Sequence, residues 1–97
     1  MVVRRDLPLG LMGAMIVHAA GESVVEPLGD ATHAIVLMAR DELHLALEAE
    51  RLEARGVPLV RIHEPDSPWH NALMAIGIRP RPKSVLKPLL RHLKVLA

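Results

Sequence analysis

A 97-residue chain with no phenylalanine, no tyrosine and no cysteine has to build its core from aliphatic side chains. The task falls to sixteen Leu, twelve Ala, ten Val, five Ile and five Met, with Trp69 as the single aromatic. The length suits one domain over residues 1–97. With 51% of residues hydrophobic and 24% charged, the chain is not disordered. Without cysteine there is no disulfide scaffold, thiolate zinc site, iron–sulfur cluster or cysteine nucleophile. A reducing cytoplasm suits such a chain and is its expected location. The lack of aromatics also excludes base-stacking platforms of the kind that read single-stranded RNA.

The apolar pattern alternates between periods. Residues 2–5 read as a short strand. From Leu11, the spacing of Met12, Met15, Ile16 and Ala19 predicts a helix buried on most sides, ending at Gly21 or running to Val25. Glu26-Pro27-Leu28-Gly29-Asp30 breaks it. Residues 33–39 form an unbroken apolar run, the pattern of a strand covered on both faces. Asp41 is a good N-cap for a helix to Arg55, with Gly56 placed to end it. His44, Glu48, Arg51 and Arg55 read as that helix's solvent stripe. Strands follow near 58–63 and 72–78, separated by a loop holding two prolines and Trp69, which is either a binding tip or a plug over the core. A last helix is expected from about Ser84 to Val95, with Pro88 disturbing its start. This order predicts an α/β fold, a single-domain three-layer α/β/α arrangement on a four-stranded mixed sheet. The sheet is expected to be mostly parallel, with one strand reversed.

Arg4-Arg5 before an apolar stretch imitates a secretory signal, but Met1-Val2-Val3 precedes the arginines and Asp6 and Pro8 interrupt it. No cleaved signal and no membrane span are expected.

In open α/β sheets, sites form at the carboxyl ends of the parallel strands. Here those ends carry Arg4, Arg5 and Asp6, then Arg40 and Asp41, then His63 and Glu64. They make a polar rim, although charges gather wherever strands leave a core. The charge is also uneven along the chain. Residues 41–64 hold six acids and three Arg, whereas 79–97 hold Arg79, Arg81, Lys83, Lys87, Arg91 and Lys94 with no acid. A segment of that kind suits a phosphate backbone, or simply a solvated helix face. His63, Glu64, Asp66 and His70 lie within eight residues, but match no known ligand spacing. No metal and no cofactor are expected.

Several segments resemble one family in order along the chain. Val2-Val3-Arg4-Arg5-Asp6-Leu7 is similar to the opening strand of the type-2 peptidyl-tRNA hydrolases, the archaeal and eukaryotic class. His18-Ala19-Ala20 resembles the end of their first-helix motif, and residues 39–56 resemble their second strand–helix unit. Ala75-Ile76-Gly77, Pro80-Arg81-Pro82 and His92-Leu93-Lys94 resemble their later motifs. The departures fall on the chemistry. The family's functional Lys and Gln fall on Leu11 and Met15, and a Thr falls on Ala72. Its Asp at the end of the third strand falls on Glu64, which keeps a carboxylate, and the following loop is about four residues shorter.

The resemblance implies a hydrolase of the ester in N-blocked aminoacyl-tRNA, with activity expected to be weak or lost because the Lys, Gln and Thr are replaced. Such a reaction needs an activated water, an oxyanion stabiliser and cations for the tRNA backbone. The expected catalytic residues are Glu64, His18 and Asp6, with His63 and His70 as alternative imidazoles. Arg4, Arg5, Arg79 and Arg81 are the expected substrate contacts, tRNA the expected partner. The alternative is a catalytically inactive member of the fold that binds RNA or protein. His18, in an apolar helix, also has the plainer role of a packing residue. Apolar helices predict leftover apolar surface, and so a homodimer through Leu11 and Met15 or through Leu89 and Leu93.

Overall fold

The computed structural model describes residues 1–29 and 32–97. Asp30, the last residue of the expected breaker, lies outside the described residues. Along the chain run β1 (Val2–Arg4), α1 (Leu9–Ser23), β2 (Leu37–Ala39), α2 (Glu42–Ala54), β3 (Leu59–Glu64), β4 (Ala72–Ile78), α3 (Lys83–Leu90) and β5 (Lys94–Val95). The strands form one open mixed sheet in the order β3-β4-β1-β2-β5.

Among the described residues five strands stand where four are expected. The extra one comes from the end of the chain, where the expected last helix stops at Leu90. The remaining residues pair β5 antiparallel to β2, Met38 opposite Lys94. The apolar run at 33–39 is also a shorter strand than expected. Only Leu37–Ala39 enters the sheet, and His33, Ala34 and Ile35 are exposed.

The expectation of a mostly parallel sheet is corrected too. Among the described residues only β1 and β2 pair in parallel; the other three pairings are antiparallel. The reason is an insertion. β3 does run in the same direction as β1 and β2, but β4 turns back from it and lies between β3 and β1. The carboxyl ends of β1, β2 and β3 therefore still share one edge of the sheet.

Side-chain alternation, interrupted in β4 at Met74 where the pairing with β3 shifts register, divides the core in two. Val2, Leu37, Ala39, Leu73 and Ile76 pack with Leu45, Ala49 and Leu52 of α2. Val3, Ile62, Met74 and Ala75 pack with Met12, Met15 and Ala19 of α1. The second helix is capped as its sequence predicts. The Asp41 side chain accepts from the His44 amide at 2.9 Å, and Gly56 takes a left-handed φ of 75°. α3 buries no residue fully, but rests Leu86, Leu89 and Leu90 against the α2 side of the core.

The expected solvent stripe on α2 is corrected at Glu48, which is 7% exposed. The returning C-terminal segment reaches it through His92, while the Leu89 carbonyl takes a hydrogen bond from its partner Arg51. The expected dimer surface also loses two members. Met15 and Leu93 are buried in the chain's own core at 3% and 8% exposure. The exposed large apolar side chains lie elsewhere, among them Leu9, Val17, Leu43 and Leu47. Among the described residues no helix is long and apolar enough to cross a membrane.

Candidate functional site

The carboxyl edge of β1, β2 and β3 carries the charged residues expected there, but it sorts them into three separate settings. The first is a buried pillar. Arg4 reaches Asp6 in a two-pronged pair, with Nε and Nη2 each 2.9 Å from a carboxylate oxygen. Its Nη1 donates to the Leu73 carbonyl at 3.1 Å, and the guanidinium lies 5.7 Å from the centre of the Trp69 ring. Glu42 accepts from the Leu73 amide at 2.7 Å. β1 pairs with β4 only through Ala75 and Ile76, so Leu73 has no strand beside it on that side. Arg4 and Glu42 stand in for the missing strand and satisfy both backbone groups of Leu73.

Hydrogen bonding to Arg4 holds the Asp6 carboxyl below its ordinary pKa against the opposing effect of burial. The same bond raises the Arg4 guanidinium. An ionised carboxylate held by a guanidinium is a weak base, and Arg4 is only 8% exposed. Of the two roles open to Trp69, the structure gives the plug: it packs on the α1 side of the core and over Arg4.

The second setting is a cleft of about 350 Å³ between α1 and the end of β3. His18, Glu22, His63 and Glu64 line it, with buried Met15 among the wall residues. Where the cleft begins, the pairing of β3 with β4 shifts register between Ile62 and His63. His18 is exposed rather than packed, with Nδ1 4.0 Å from Glu22. The Glu64 carboxylate accepts from the Asp66 amide at 3.1 Å, and His63 donates from Nδ1 to the Asn71 carbonyl at 3.0 Å. So His18 and Glu64 share a cleft, while Arg4 and Asp6 stay in the pillar. No hydrogen bond among the described residues joins the two groups. Exposed His70 takes a left-handed φ of 49° in the loop, a conformation that histidine tolerates better than most residues.

The third setting was not visible in the residue pattern. On the α2 side, a pocket of about 220 Å³ is lined by Arg5, Met38, Ala39, Arg40, His44, His92, Leu93 and Lys94. Behind it sits Glu48. Arg51 donates to Glu48 Oε2 at 2.7 and 3.1 Å, and His92 Nε2 donates to Oε1 at 2.8 Å. Arg51 also donates to the Leu89 carbonyl. His44 accepts the Arg40 amide on Nδ1 at 3.0 Å, which leaves its proton on Nε2, 3.7 Å from Glu48. Burial pushes the Glu48 carboxyl up, but the hydrogen bonds from Arg51 and His92 outweigh it and the net shift is downward. The signal in the sequence is the step of four and three from His44 to Glu48 to Arg51, which reads equally well as a wet stripe.

Arg79 and Arg81 stand at the other edge of the sheet, because β4 runs against its neighbours and ends there. Arg79 donates its amide to Pro58, and its Nη1 is buried without a partner among the described residues. The Arg81 side chain donates to the Pro80 carbonyl at 2.9 Å. The expected substrate contacts are thus split between two edges. Lys83, Lys87 and Arg91 connect them, exposed at steps of four along α3. None of these cations, nor Arg5, Arg40 or Lys94, is in an ion pair among the described residues. Among the described residues, no three His, Asp or Glu gather to hold a metal ion, His63, Glu64, Asp66 and His70 included. No protein-family model matches the chain, and no curated protein matches it.

Proposed function

We propose that this chain binds an RNA phosphate backbone, in the manner of a peptidyl-tRNA hydrolase-like domain whose ester hydrolysis is weak or lost. The observation that carries the reading is the run of cations that have no ion-pair partner among the described residues. It starts at Arg79 and Arg81, follows Lys83, Lys87 and Arg91 along α3, and ends at Lys94 beside Arg5 and Arg40. Regularly placed cations without acidic partners suit a polyanion, whose bound counterions they release. Two further observations favour binding over catalysis. Arg4 and Asp6 are engaged with each other. Met15, at the place of the resembled family's Gln, is buried.

The test is tRNA affinity across a salt series. Log affinity should fall steeply with log salt, and Lys83→Gln/Lys87→Gln/Arg91→Gln should reduce that slope by about 2–3. Arg79→Ala/Arg81→Ala should reduce it as well. Affinity that does not change between low and moderate salt removes the nucleic-acid reading.

The cleft shared by His18 and Glu64 supports a second reading, a surviving hydrolase. Release of labelled N-acylaminoacyl ester from tRNA measures it. If activity is present, Glu64→Gln should abolish it while leaving stability nearly unchanged. Activity retained in that variant removes Glu64 as the general base.

A further inference from the structure

The pocket at the carboxyl ends of β1 and β2 has a chemistry of its own. We infer that it is a binding site for a single phosphate group, held by Arg5, Arg40 and Lys94. Three strand ends deliver these cations: Arg5 follows β1, Arg40 follows β2, and Lys94 opens β5 opposite Met38. All three are exposed, and none pairs with a carboxylate among the described residues. Two acids adjoin the pocket: Glu48 is already matched by Arg51 and by the His92 Nε2 proton, and the exposed Asp41 caps α2 by accepting the His44 amide. Neither forms an ion pair with Arg5, Arg40 or Lys94 among the described residues, and three cations outnumber the one free carboxylate. Met38, Ala39 and Leu93 supply apolar wall, which strengthens the field of the charges around it.

Gathering three like charges in one small concavity is unfavourable until an anion enters it. The volume of about 220 Å³ falls below the ~300 Å³ at which drug-sized ligands begin to fit, and suits a tetrahedral oxyanion with part of a sugar. Two guanidinium forks and an ammonium match the charge of a phosphate better than that of a lone carboxylate. Both imidazoles are turned towards Glu48, so they serve as wall and brace. This phosphate is either an RNA phosphate, which rests on the reading above, or a free one, which does not.

The experiment is a titration of the isotopically labelled full chain with inorganic phosphate at low salt, followed by NMR. The amides of Arg5, Arg40, His44 and Lys94 should shift together along one saturable curve. Arg40→Gln and Lys94→Gln should each weaken binding ~10-fold, the value of one charge-assisted hydrogen bond. Arg55→Gln, at the far end of α2, should leave the curve unchanged. Acetate at the same concentration should not compete. Shifts that do not saturate, shifts spread evenly over all surface cations, equal displacement by acetate, or wild-type affinity in both pocket variants each overturn the site.

A second arm compares 5′-phosphorylated and 5′-hydroxyl oligoribonucleotides. A preference for the phosphorylated form that is lost in Arg40→Gln assigns the pocket to a terminal phosphate. Equal affinities, both reduced in Arg40→Gln, assign it to an internal phosphodiester. Phosphate binding without RNA binding keeps the pocket and removes the RNA reading. Salt-dependent RNA binding without phosphate binding, and without an effect of Arg40→Gln, removes the pocket and keeps the RNA reading.

Discussion

Gly77 shows how a single residue sets the distance between two elements. A Cβ there would overlap the Ala19 carbonyl oxygen and come within 2.9 Å of the Ser23 Cβ. The backbone of α1 therefore lies directly on β4, and only glycine admits that approach. Gly77→Ala must push the helix away, and should cost about 2–3 kcal/mol. A denaturant midpoint measures it, and an unchanged midpoint contradicts the packing. Arg4 is the other decisive residue. Arg4→Met leaves the Asp6 carboxylate and the Leu73 carbonyl without their donor, and should cost about 2 kcal/mol after allowing for the part-exposure of Asp6. Trp69 is the single aromatic, so its fluorescence reports on this site alone. The emission should shift in Arg4→Met and stay in place in Arg5→Met, because Arg5 is exposed and takes no part in the pillar.

At the scale of the element, α2 is the part whose reading changes most between sequence and structure. Its N-cap, its length and Gly56 follow from local chemistry and are placed as expected. Its polar face does not follow. Glu48 sits under the C-terminal segment, where two donors hold it ionised. A carboxyl whose pKa is lower in the folded state than in the unfolded chain stabilises the fold above its unfolded value, here the ordinary 4.5. That stability fades as pH falls from 4.5 through the lower folded value. The thermal midpoint should therefore drop on acidification below about pH 4.5. Glu48→Gln should lower the midpoint at neutral pH, by about 2 kcal/mol of stability, and flatten this acid dependence. An acid profile identical to that of the unaltered protein contradicts the ionised, bridged state.

At the scale of the whole molecule, residues 91–97 cover one side of the sheet and core. β5 covers the outer edge of β2, Leu93 enters the core, and His92 reaches Glu48. Removing residues 91–97 opens the β2 edge and takes the His92 donor from Glu48. An open strand edge invites pairing with another chain. The shortened protein should lose stability and associate with rising concentration, which sedimentation detects. A monomeric product with unchanged stability contradicts a closing role for β5. The longer stretch from Arg79 to Lys94 gives the molecule its cationic course, since it begins at one sheet edge and ends at the other.

Local chemistry alone determined much of this. The 72–78 strand coincides with β4, the Asp41 cap and Gly56 stop bound α2, and charged residues stand at three strand ends. These depend on periodicity, capping and backbone freedom, which act over a few residues. What only the tertiary structure decided is where distant segments meet. The insertion of β4 between β3 and β1 turned a sheet read as parallel into a largely antiparallel one, and sent Arg79 and Arg81 to the far edge. The same folding joined Arg4 to Leu73, 69 residues away, and His92 to Glu48, 44 residues away. Whether a charged residue is a binding group or a brace depends on the partner it meets across such gaps, and no local pattern carries that information.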